Sequence, residues 1–254
     1  MKELKILYLY PDILELYGDY GNIQVLKYRL VQRGFACKID EYSIGDVPPN
    51  FNDYDLVFAG GGADNEQSIL SEDLVKYTDS IKEAVNNGVF FLLICGAYQL
   101  FGKYYKDVNG NIIDGLGIFP YYTEAIEDRT KRCIGNIVLD VNINNQNTKV
   151  IGFENHGGQT YDISSPFGKV LFGNGNKFGD TNEGFFLNNV IATYLHGPLL
   201  SKNPELADYI IKYCLDRKYD ENLALEPLDD RFENLCRNQL IDRFLNNISN
   251  KYYF

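Results

Sequence analysis

The chain has 254 residues, a formal net charge of −11 and a pI near 4.7. A chain of this length can bury a large core, in one large α/β domain or in two small ones. The negative charge argues against nucleic acid or an anionic membrane as a primary partner, because phosphate groups would repel it. A small molecule or another protein is the expected kind of partner.

The cysteines indicate a reducing compartment. They are odd in number, scattered and without a C-x-x-C pair, so neither a disulfide framework nor a metal site is expected. The N-terminus lacks the pattern of a signal peptide, and no apolar run approaches the length of a membrane span. We therefore expect a soluble, cytoplasmic protein. The five cysteines are Cys37, Cys95, Cys133, Cys214 and Cys236.

The first hundred residues alternate short apolar runs with longer amphipathic stretches. This alternation predicts βαβ units and a mostly parallel sheet with helices on both faces, and ligands of such sheets bind beyond the carboxyl ends of the strands. The predicted strands are Leu4–Tyr10, Ala36–Tyr42, Asp55–Ala59 and Val89–Ile94, and the predicted helices are Tyr20–Arg33 and Glu66–Asn86.

The middle of the chain, from about Asn109 to Tyr194, is rich in alternating β patterns, Gly and Asn. It predicts antiparallel strands and hairpins that continue the sheet. Helices are expected from Pro198 to about Leu215 and over Asp229–Asn247. No linker or repeat appears, so we expect a single domain over 1–254 with a helical C-terminal extension from about residue 216. The fold class is α/β, a three-layer sandwich whose mostly parallel central sheet has an antiparallel extension.

Three predicted strands end in glycine-rich turns that could carry chemistry. Gly60-Gly61-Gly62 follows the third strand, Cys95-Gly96 follows the fourth, and His196-Gly197 follows the apolar run that ends at Leu195. Successive glycines let the backbone approach a substrate and direct N–H groups into a shared cavity, as an oxyanion hole requires.

Cys95 has two interpretations at this stage. Free cysteine is among the most buried residue types, so it could be a core thiol. A cysteine at a tight strand-to-helix turn is also the counterpart of a nucleophile elbow, and a helix N-terminus, here predicted over Ala97–Tyr104, favours the thiolate. The chain has two histidines, so a histidine base for Cys95 would be His196 or His156.

Four segments, in this order and spacing, make the chain resemble a known family. They are AGGGADNEQ (59–67), LLICGAYQLFG (92–102), GFENHGGQT (152–160) and ATYLHGPLL (192–200). Together they are similar to the class I glutamine amidotransferases, in the branch of the cobyric acid synthases. The stretch YPDILELYGDYGNIQVLKYR (10–29) resembles the GatD-type glutaminase subunits of lipid II isoglutaminyl synthases. The resemblance implies a flavodoxin-like class I glutaminase fold.

The resemblance assigns roles to individual residues. Cys95 would attack the side-chain amide of glutamine, and His196 would accept the thiol proton and return one to the departing ammonia. The backbone N–H groups of Gly61 or Gly62, and of Gly96, would stabilise the tetrahedral oxyanion.

Two further residues would bind the substrate glutamine. Gln99, four residues after the nucleophile, would help to hold it. Arg132 is the candidate for a two-point contact with its α-carboxylate. Arg129 is the alternative for that contact, and a solvated surface charge is the other interpretation of Arg132.

Two departures from the family pattern stand out. Leu93 and Ala97 occupy positions that are glycine in many members, which predicts a less strained turn at Cys95. Pro198 occupies the position, two residues after the histidine, at which typical members carry the third, acidic residue of the triad. No acid is therefore expected locally for His196, so we expect poor activity of the chain alone; the third residue of the triad is left open, with a partner's Asp or Glu and an internal acid as the alternatives.

The resemblance implies a glutaminase subunit. Its ammonia would pass to a MurT-type ligase that uses ATP and Mg²⁺ to amidate D-glutamate of lipid II in peptidoglycan synthesis. No cofactor is expected on this chain, which lacks a G-x-x-x-x-G-K-[ST] phosphate loop. The alternatives are a glutaminase for another amidation, such as that of a corrinoid side chain, and a scaffold subunit that has lost catalysis.

Overall fold

The computed structural model describes residues 1–62 and 64–246, with the backbone alone at residues 64 and 65. Residues 63 and 247–254 lie outside the described residues, so the end of the predicted C-terminal extension, including Asn247, is not assessed. The α-helices are α1 (Tyr20–Gln32), α2 (Asp64–Leu74), α3 (Thr78–Asn86), α4 (Gly96–Phe101), α5 (Pro204–Tyr219) and α6 (Arg231–Leu245).

The strands form three sheets. In chain order they are β1 (Glu3–Leu9), β2 (Ala36–Tyr42), β3 (Leu56–Ala59), β4 (Phe90–Ile94), β5 (Tyr104–Lys106), β6 (Ile112–Asp114), β7 (Tyr122–Ala125), β8 (Cys133–Ile143), β9 (Gln146–His156), β10 (Gly158–Tyr161), β11 (Gly168–Phe172), β12 (Asn182–Glu183), β13 (Phe185–Leu187), β14 (Val190–Thr193) and β15 (Leu195–His196).

The central sheet has six strands in the order β13-β14-β4-β3-β1-β2. Its neighbouring strands pair in parallel, except that β13 is antiparallel to β14. Every residue of β3 (LVFA) and of β4 (FFLLI) is buried. Since successive side chains of a strand point to opposite faces, both faces of the sheet are covered. The predicted layered α/β architecture is confirmed.

The region between β4 and β13 differs from the prediction. Its strands do not continue the central sheet but form a four-stranded sheet, β10-β7-β5-β6, and, together with the later strand β15, a five-stranded sheet, β12-β11-β8-β9-β15. The antiparallel extension of the central sheet is β13. The long β8–β9 hairpin turns at Asn144 and Asn145, whose φ angles of 52° and 62° are the left-handed values that a two-residue hairpin turn needs.

Two predicted helices are shorter than expected. The stretch Glu66–Asn86 is divided into α2 and α3 by a 3₁₀ turn over Val75–Tyr77, where the Thr78 hydroxyl donates to the Val75 carbonyl at 2.9 Å. Helix α4 ends at Phe101, not at Tyr104. The chain turns there because Gly102 lies against Tyr121, where a Cβ atom would come within 2.6 Å of the ring.

A buried ion cluster joins α1 to the C-terminal part of the chain. The Arg29 guanidinium of α1 donates to Asp208 of α5 at 2.7 Å and to Asp230, just before α6, at 2.6 Å. Helix α6 also places Ile241 against Val138 and Ile151 in a small apolar cluster beside the main core. In the described part of the chain, no helix combines the length and hydrophobicity needed to cross a bilayer. The single-domain boundary stays a prediction.

Candidate active site

The three glycine-rich turns meet at one edge of the central sheet. Strands β14, β4 and β3 are parallel neighbours, so their carboxyl ends lie side by side. The N–H of Cys95, just after β4, donates to the carbonyl of Thr193, the last residue of β14, at 2.8 Å. A hydrogen bond therefore joins the turn that carries Cys95 to the segment that leads to His196.

Cys95 occupies a strained turn. Its φ of 51° and ψ of −102° lie outside the regions that non-glycine residues favour, which costs on the order of 1–3 kcal/mol. The expectation that this turn is less strained than in members with glycine at positions 93 and 97 stays a prediction. A Cβ atom at Gly96 would lie 2.9 Å from the Gly62 nitrogen, so the close approach of these two turns requires glycine. The Cys95 residue is 6% exposed.

His196 lies beside Cys95 and is fully buried. A Cβ atom placed on Gly61 would come within 2.8 Å of His196 Cε1 and 3.2 Å of Cys95 Cβ, which shows that both side chains pack around this glycine. The ring's Nδ1 is 3.1 Å from both carboxylate oxygens of Asp19. Its Nε2 has no hydrogen-bond partner of ordinary geometry among the described residues. That nitrogen is free to take the proton of a neighbouring thiol.

The charge state of His196 follows from these neighbours. Burial alone would lower the pKa of the imidazole, but its electrostatic interaction with Cys95 and the hydrogen bond to Asp19 raise it to about 10. A protonated imidazole beside a thiolate is the pair that activates cysteine nucleophiles.

The acidic partner of His196 was not found by sequence reasoning. The motif places no acid near His196 and leaves its source open; in the structure Asp19 lies at the β1–α1 junction, fully buried, with its carboxylate on the imidazole. Asp19 stands at the position before α1 where aspartate commonly caps a helix, yet its side chain makes no cap hydrogen bond. An aspartate before an amphipathic helix is the signal that could have suggested it.

Pro198 has a packing role in place of the expected acid. A Cβ atom at Gly21 of α1 would lie 2.4 Å from Pro198 Cγ, so the proline ring rests directly on the first turn of this helix. Asp19 immediately precedes that turn. The proline therefore packs against the element that delivers the carboxylate.

The oxyanion donors predicted from sequence are now distinguished. The Gly61 N–H donates to Asp19 Oδ2 at 2.9 Å, so it is already engaged. Of the alternatives Gly61 and Gly62, this hydrogen bond favours Gly62 as the oxyanion donor. The backbone of Gly62 lies against Gly96, and these two glycines remain the candidates.

Gln99 lies within a buried polar network behind the nucleophile. Its Oε1 accepts a hydrogen bond from Gln67 at 2.8 Å, and its Nε2 donates to the Tyr194 hydroxyl at 3.1 Å. A Cβ atom at Gly158 would lie 2.5 Å from the same Nε2. The structure thus brings the 92–102 and 152–160 segments together at Gln99.

Arg132 lies at the exposed side of the site. Its Nε and Nη2 donate to Asn155 Oδ1 at 3.1 and 3.0 Å, and the Asn155 amide donates to the Tyr17 hydroxyl. The Tyr17 ring is 4.8 Å from the His196 ring. Arg132 is therefore linked to His196 through two side chains, Asn155 and Tyr17. Arg129 is exposed, in a 3₁₀ turn over Arg129–Lys131.

His156 has a structural environment. Its ring stacks on that of Tyr194, with the ring centroids 3.6 Å apart and the planes at 5°. Its Nδ1 donates to the Gly158 carbonyl at 2.7 Å. Burial lowers the pKa of His156 to about 3, so the ring is neutral. Of the two histidines considered as the base, His196 is the one beside Cys95. Across residues 1–62 and 64–246, no cluster of three or more His, Cys, Asp or Glu is placed to hold a metal ion.

Comparison with known families agrees with this geometry. The CobB/CobQ-like glutamine amidotransferase domain matches residues 5–204. The chain belongs to this family. It is 39% identical over 245 residues to the lipid II isoglutaminyl synthase (glutamine-hydrolyzing) subunit GatD of Staphylococcus aureus, covering 96% of this chain and 97% of that protein. It is 38% identical to the GatD subunit of Streptococcus pneumoniae, covering 90% of this chain and 86% of that one.

Other relatives are more distant. A probable cobyric acid synthase of Methanocaldococcus jannaschii is 30% identical over 70% of this chain and 37% of its own length. Among solved structures, a chain from PurLQS of Thermotoga maritima has a TM-score of 0.53 at 15% identity, covering 87% of this chain and all of that one. A crystal structure of a glutamine amidotransferase has the same TM-score at 14% identity, and the match covers 82% of this chain and 98% of that one. These structures share the fold.

A buried glutamate supports the site of this amidotransferase from behind. Glu183 of β12 is fully buried; its Oε1 accepts the Tyr194 N–H at 2.7 Å and its Oε2 accepts the Thr193 hydroxyl at 2.9 Å. Burial raises the pKa of Glu183 to about 8, although both hydrogen bonds favour the charged form. The residues it holds bind the Cys95 N–H and lead directly to His196.

The raised pKa of Glu183 gives stability an unusual pH dependence. Between its ordinary value of 4.5 and about 8, the unfolded chain releases a proton that the folded chain keeps. The favourable contribution of this group to folding is therefore present at low pH and lost as pH rises through that window. The free energy of unfolding of Glu183→Gln, measured relative to wild type at the same pH, should be higher at pH 8.5 than at pH 5. The expected increase is more than about 1.4 kcal/mol, the equivalent of one pKa unit.

Urea unfolding of both proteins at the two pH values measures this difference. Glu72→Gln, an exposed glutamate on α2, is the control and should show the same stability relative to wild type at both. A constant difference for Glu183→Gln would mean that Glu183 is ionised throughout.

Proposed function

We propose that this chain is the glutamine-hydrolysing subunit of a lipid II isoglutaminyl synthase. The observation that carries the proposal is the buried row Cys95–His196–Asp19 at the carboxyl edge of the sheet, with the Gly62 and Gly96 backbones beside the thiol. A nucleophile, a base and an orienting acid beside an oxyanion site form the constellation that acyl transfer requires.

In the proposed reaction, the Cys95 thiolate attacks the side-chain carboxamide carbon of glutamine. The carbonyl oxygen becomes an oxyanion, which the N–H groups of Gly62 and Gly96 stabilise; one such donor contributes about 3–4 kcal/mol in comparable sites. The His196 imidazolium gives its proton to the amide nitrogen, and the C–N bond breaks to release ammonia and leave a thioester. The neutral imidazole then takes a proton from water, whose oxygen attacks the thioester and releases glutamate.

Asp19 orients the base in this scheme. Its carboxylate accepts the Nδ1 hydrogen, which selects the tautomer whose Nε2 can accept the thiol proton. It also stabilises the imidazolium. The Gly61 N–H, bound to the same carboxylate, keeps the acid in place.

The substrate amino acid would lie between the thiol and Arg132. A guanidinium presents paired donors that match a carboxylate, and here the pair is occupied by a single neutral amide oxygen of Asn155. A carboxylate is the stronger acceptor for those donors. Gln99, buried behind the thiol, would hold the substrate from the opposite side.

The destination of the ammonia is inferred from the relatives. The two GatD proteins match this chain over 97% and 86% of their own lengths, whereas the M. jannaschii cobyric acid synthase aligns over 37% of its length. This difference favours lipid II over a corrinoid as the amidated molecule. We propose a MurT-type ligase as the partner, holding ATP and Mg²⁺ and amidating D-glutamate of the stem peptide. A scaffold without catalysis is disfavoured because the acid missing from the motif is supplied by Asp19. Cytoplasmic location stays a prediction.

Removal of the nucleophile tests the proposed function. Cys95→Ala, co-purified with the proposed MurT-type ligase, should release no ammonia from glutamine and give no glutamine-dependent amidation of lipid II. Ammonium chloride should restore amidation, because the ligase step does not need the thiol. Cys236→Ala, an exposed cysteine on α6, is the matched control and should retain full activity. Ammonia release by the Cys95 variant above a few per cent would contradict the assignment.

Replacement of Asp19 tests whether the acid is internal. Asp19→Asn removes the charge and places an amide against Nδ1, a change that costs roughly 10⁴-fold in kcat in a comparable triad. We expect a loss of at least 100-fold in kcat in the chain alone as well as in the complex. Glu15→Gln, on the same loop and exposed, should remain near wild type. Near-normal turnover by Asp19→Asn in the complex would return the role to a partner carboxylate.

Replacement of Arg132 tests the α-carboxylate site. Arg132→Lys keeps the charge but loses the planar two-point contact. A hydrogen bond to a charged group contributes about 1.5–3 kcal/mol, so kcat/KM for glutamine should fall roughly 10- to 100-fold. Amidation from free ammonia should be unchanged. If Arg129→Lys gave this pattern and Arg132→Lys did not, the role would belong to Arg129.

A further inference from the structure

Tyr17 lies against the catalytic histidine, but the reaction described above gives it no role. Its ring meets the His196 ring edge-on, with the ring centroids 4.8 Å apart and the planes at 66°. The centroid of the Phe153 ring lies 6.4 Å from that of Tyr17. Tyr17 is 48% exposed, whereas His196 is fully buried. The tyrosine therefore covers part of the imidazole from the solvent side.

The backbone at Tyr17 is held in an unusual conformation. Its φ of 56° lies in the left-handed region, and Gly18 follows with φ of 75°. This turn places Tyr17 on the imidazole ring and Asp19, two residues later, on its Nδ1. A shift of the turn would therefore move both contacts of His196 together.

The Tyr17 hydroxyl is connected to the proposed carboxylate site. It accepts a hydrogen bond from the Asn155 amide, and the oxygen of that amide accepts both bonds of the Arg132 guanidinium. Asn155 is on β9, and Gly157, two residues later, leaves room for the guanidinium, since a Cβ atom there would come within 3.2 Å of Nη1. A continuous path of contacts thus runs from Arg132 through Asn155 and Tyr17 to His196.

A carboxylate at Arg132 would compete with Asn155 for the guanidinium. Charge-assisted hydrogen bonds are shorter and roughly twice as strong as those to neutral acceptors, so the carboxylate would win the two donors. Asn155 would lose the bonds that fix its amide, and the hydrogen bond it gives to Tyr17 would change with them. The turn that carries Tyr17 and Asp19 would respond.

We propose that Tyr17 is a positioning residue that couples binding of an amino acid carboxylate at Arg132 to the orientation of His196. This inference rests on the proposed function, because it takes glutamine as the ligand. It adds a role for Tyr17 and Asn155: the bound carboxylate adjusts the orientation of an imidazole that Asp19 already holds beside the thiol.

The imidazole signals of the full-length chain test the coupling. With two histidines in the chain, the ¹⁵N-imidazole NMR spectrum is simple, and His196→Gln assigns it. In a Cys95→Ala background, which binds without turnover, saturating L-glutamine should shift the His196 signals. Adding Tyr17→Phe keeps the ring but removes the hydroxyl, and it should reduce that shift at least threefold while L-glutamine still binds. Tyr28→Phe, an exposed tyrosine on α1, should leave the shift unchanged.

The outcomes separate the two proposals. Failure of the Cys95→Ala chain to bind L-glutamine would overturn both the glutaminase function and the coupling. Binding with an equal His196 response in the Tyr17→Phe chain would overturn the coupling and leave the glutaminase function standing.

Kinetics of the complex give a second readout in a chain with Cys95 intact. Tyr17→Phe and Asn155→Ala should each lower kcat about tenfold with KM within about twofold, because they affect the base more than the binding of substrate. Since both act through one path, the double variant should lose no more than either single variant. The coupling would be overturned if the loss of kcat in the double variant equalled the product of the two single losses. A rise in KM with kcat unchanged in either single variant would overturn it as well.

Discussion

The buried carboxylate of Asp19 is the contact on which the rest of the site depends. It accepts from His196 Nδ1 and from the Gly61 N–H, so it joins the β1–α1 turn, the glycine turn after β3 and the end of β15. Burying this carboxylate without such donors would cost several kcal/mol of folding free energy. Each of the three segments therefore depends on the other two for its stability. The same contact sets the imidazole tautomer and leaves Nε2 toward the thiol.

The source of this acid shows how one catalytic geometry can be built from different parts of a chain. Pro198, at the position where the family pattern has an acid, packs its ring on Gly21. That packing holds the first turn of α1 against the histidine turn, and Asp19 precedes it directly. The imidazole thus receives its carboxylate from a residue 177 positions away in sequence.

The two sides of the site differ in their physical character. Behind the thiol lie fully or nearly fully buried polar groups, Glu183, Gln99 and Tyr194, whose hydrogen bonds hold the Thr193–His196 segment. A buried polar network is stable when its members are satisfied, which rigidifies its surroundings. In front lie Tyr17, Asn155 and Arg132, which are more exposed and whose bonds a bound carboxylate would rearrange. Rigidity behind the thiol and adaptability in front of it match the separate demands of chemistry and substrate binding.

The sequence by itself determined the features that depend on neighbouring residues. Strand Ala36–Tyr42 was predicted with its observed bounds. Cys95 and His196 were singled out because short motifs place each at a strand end or in the turn that follows, and Gln99 because of its place in the family motif. Only the tertiary structure decided the features that depend on distant residues. Local alternation does not say which sheet a hairpin joins, so strands β6 to β12 were assigned to the central sheet, whereas they belong to two other sheets. Asp19 reads locally as a helix cap, and Gly61 as an oxyanion donor. Their contact exists because a parallel sheet brings together turns far apart in the chain, and burial leaves each polar group to bind the partner within reach.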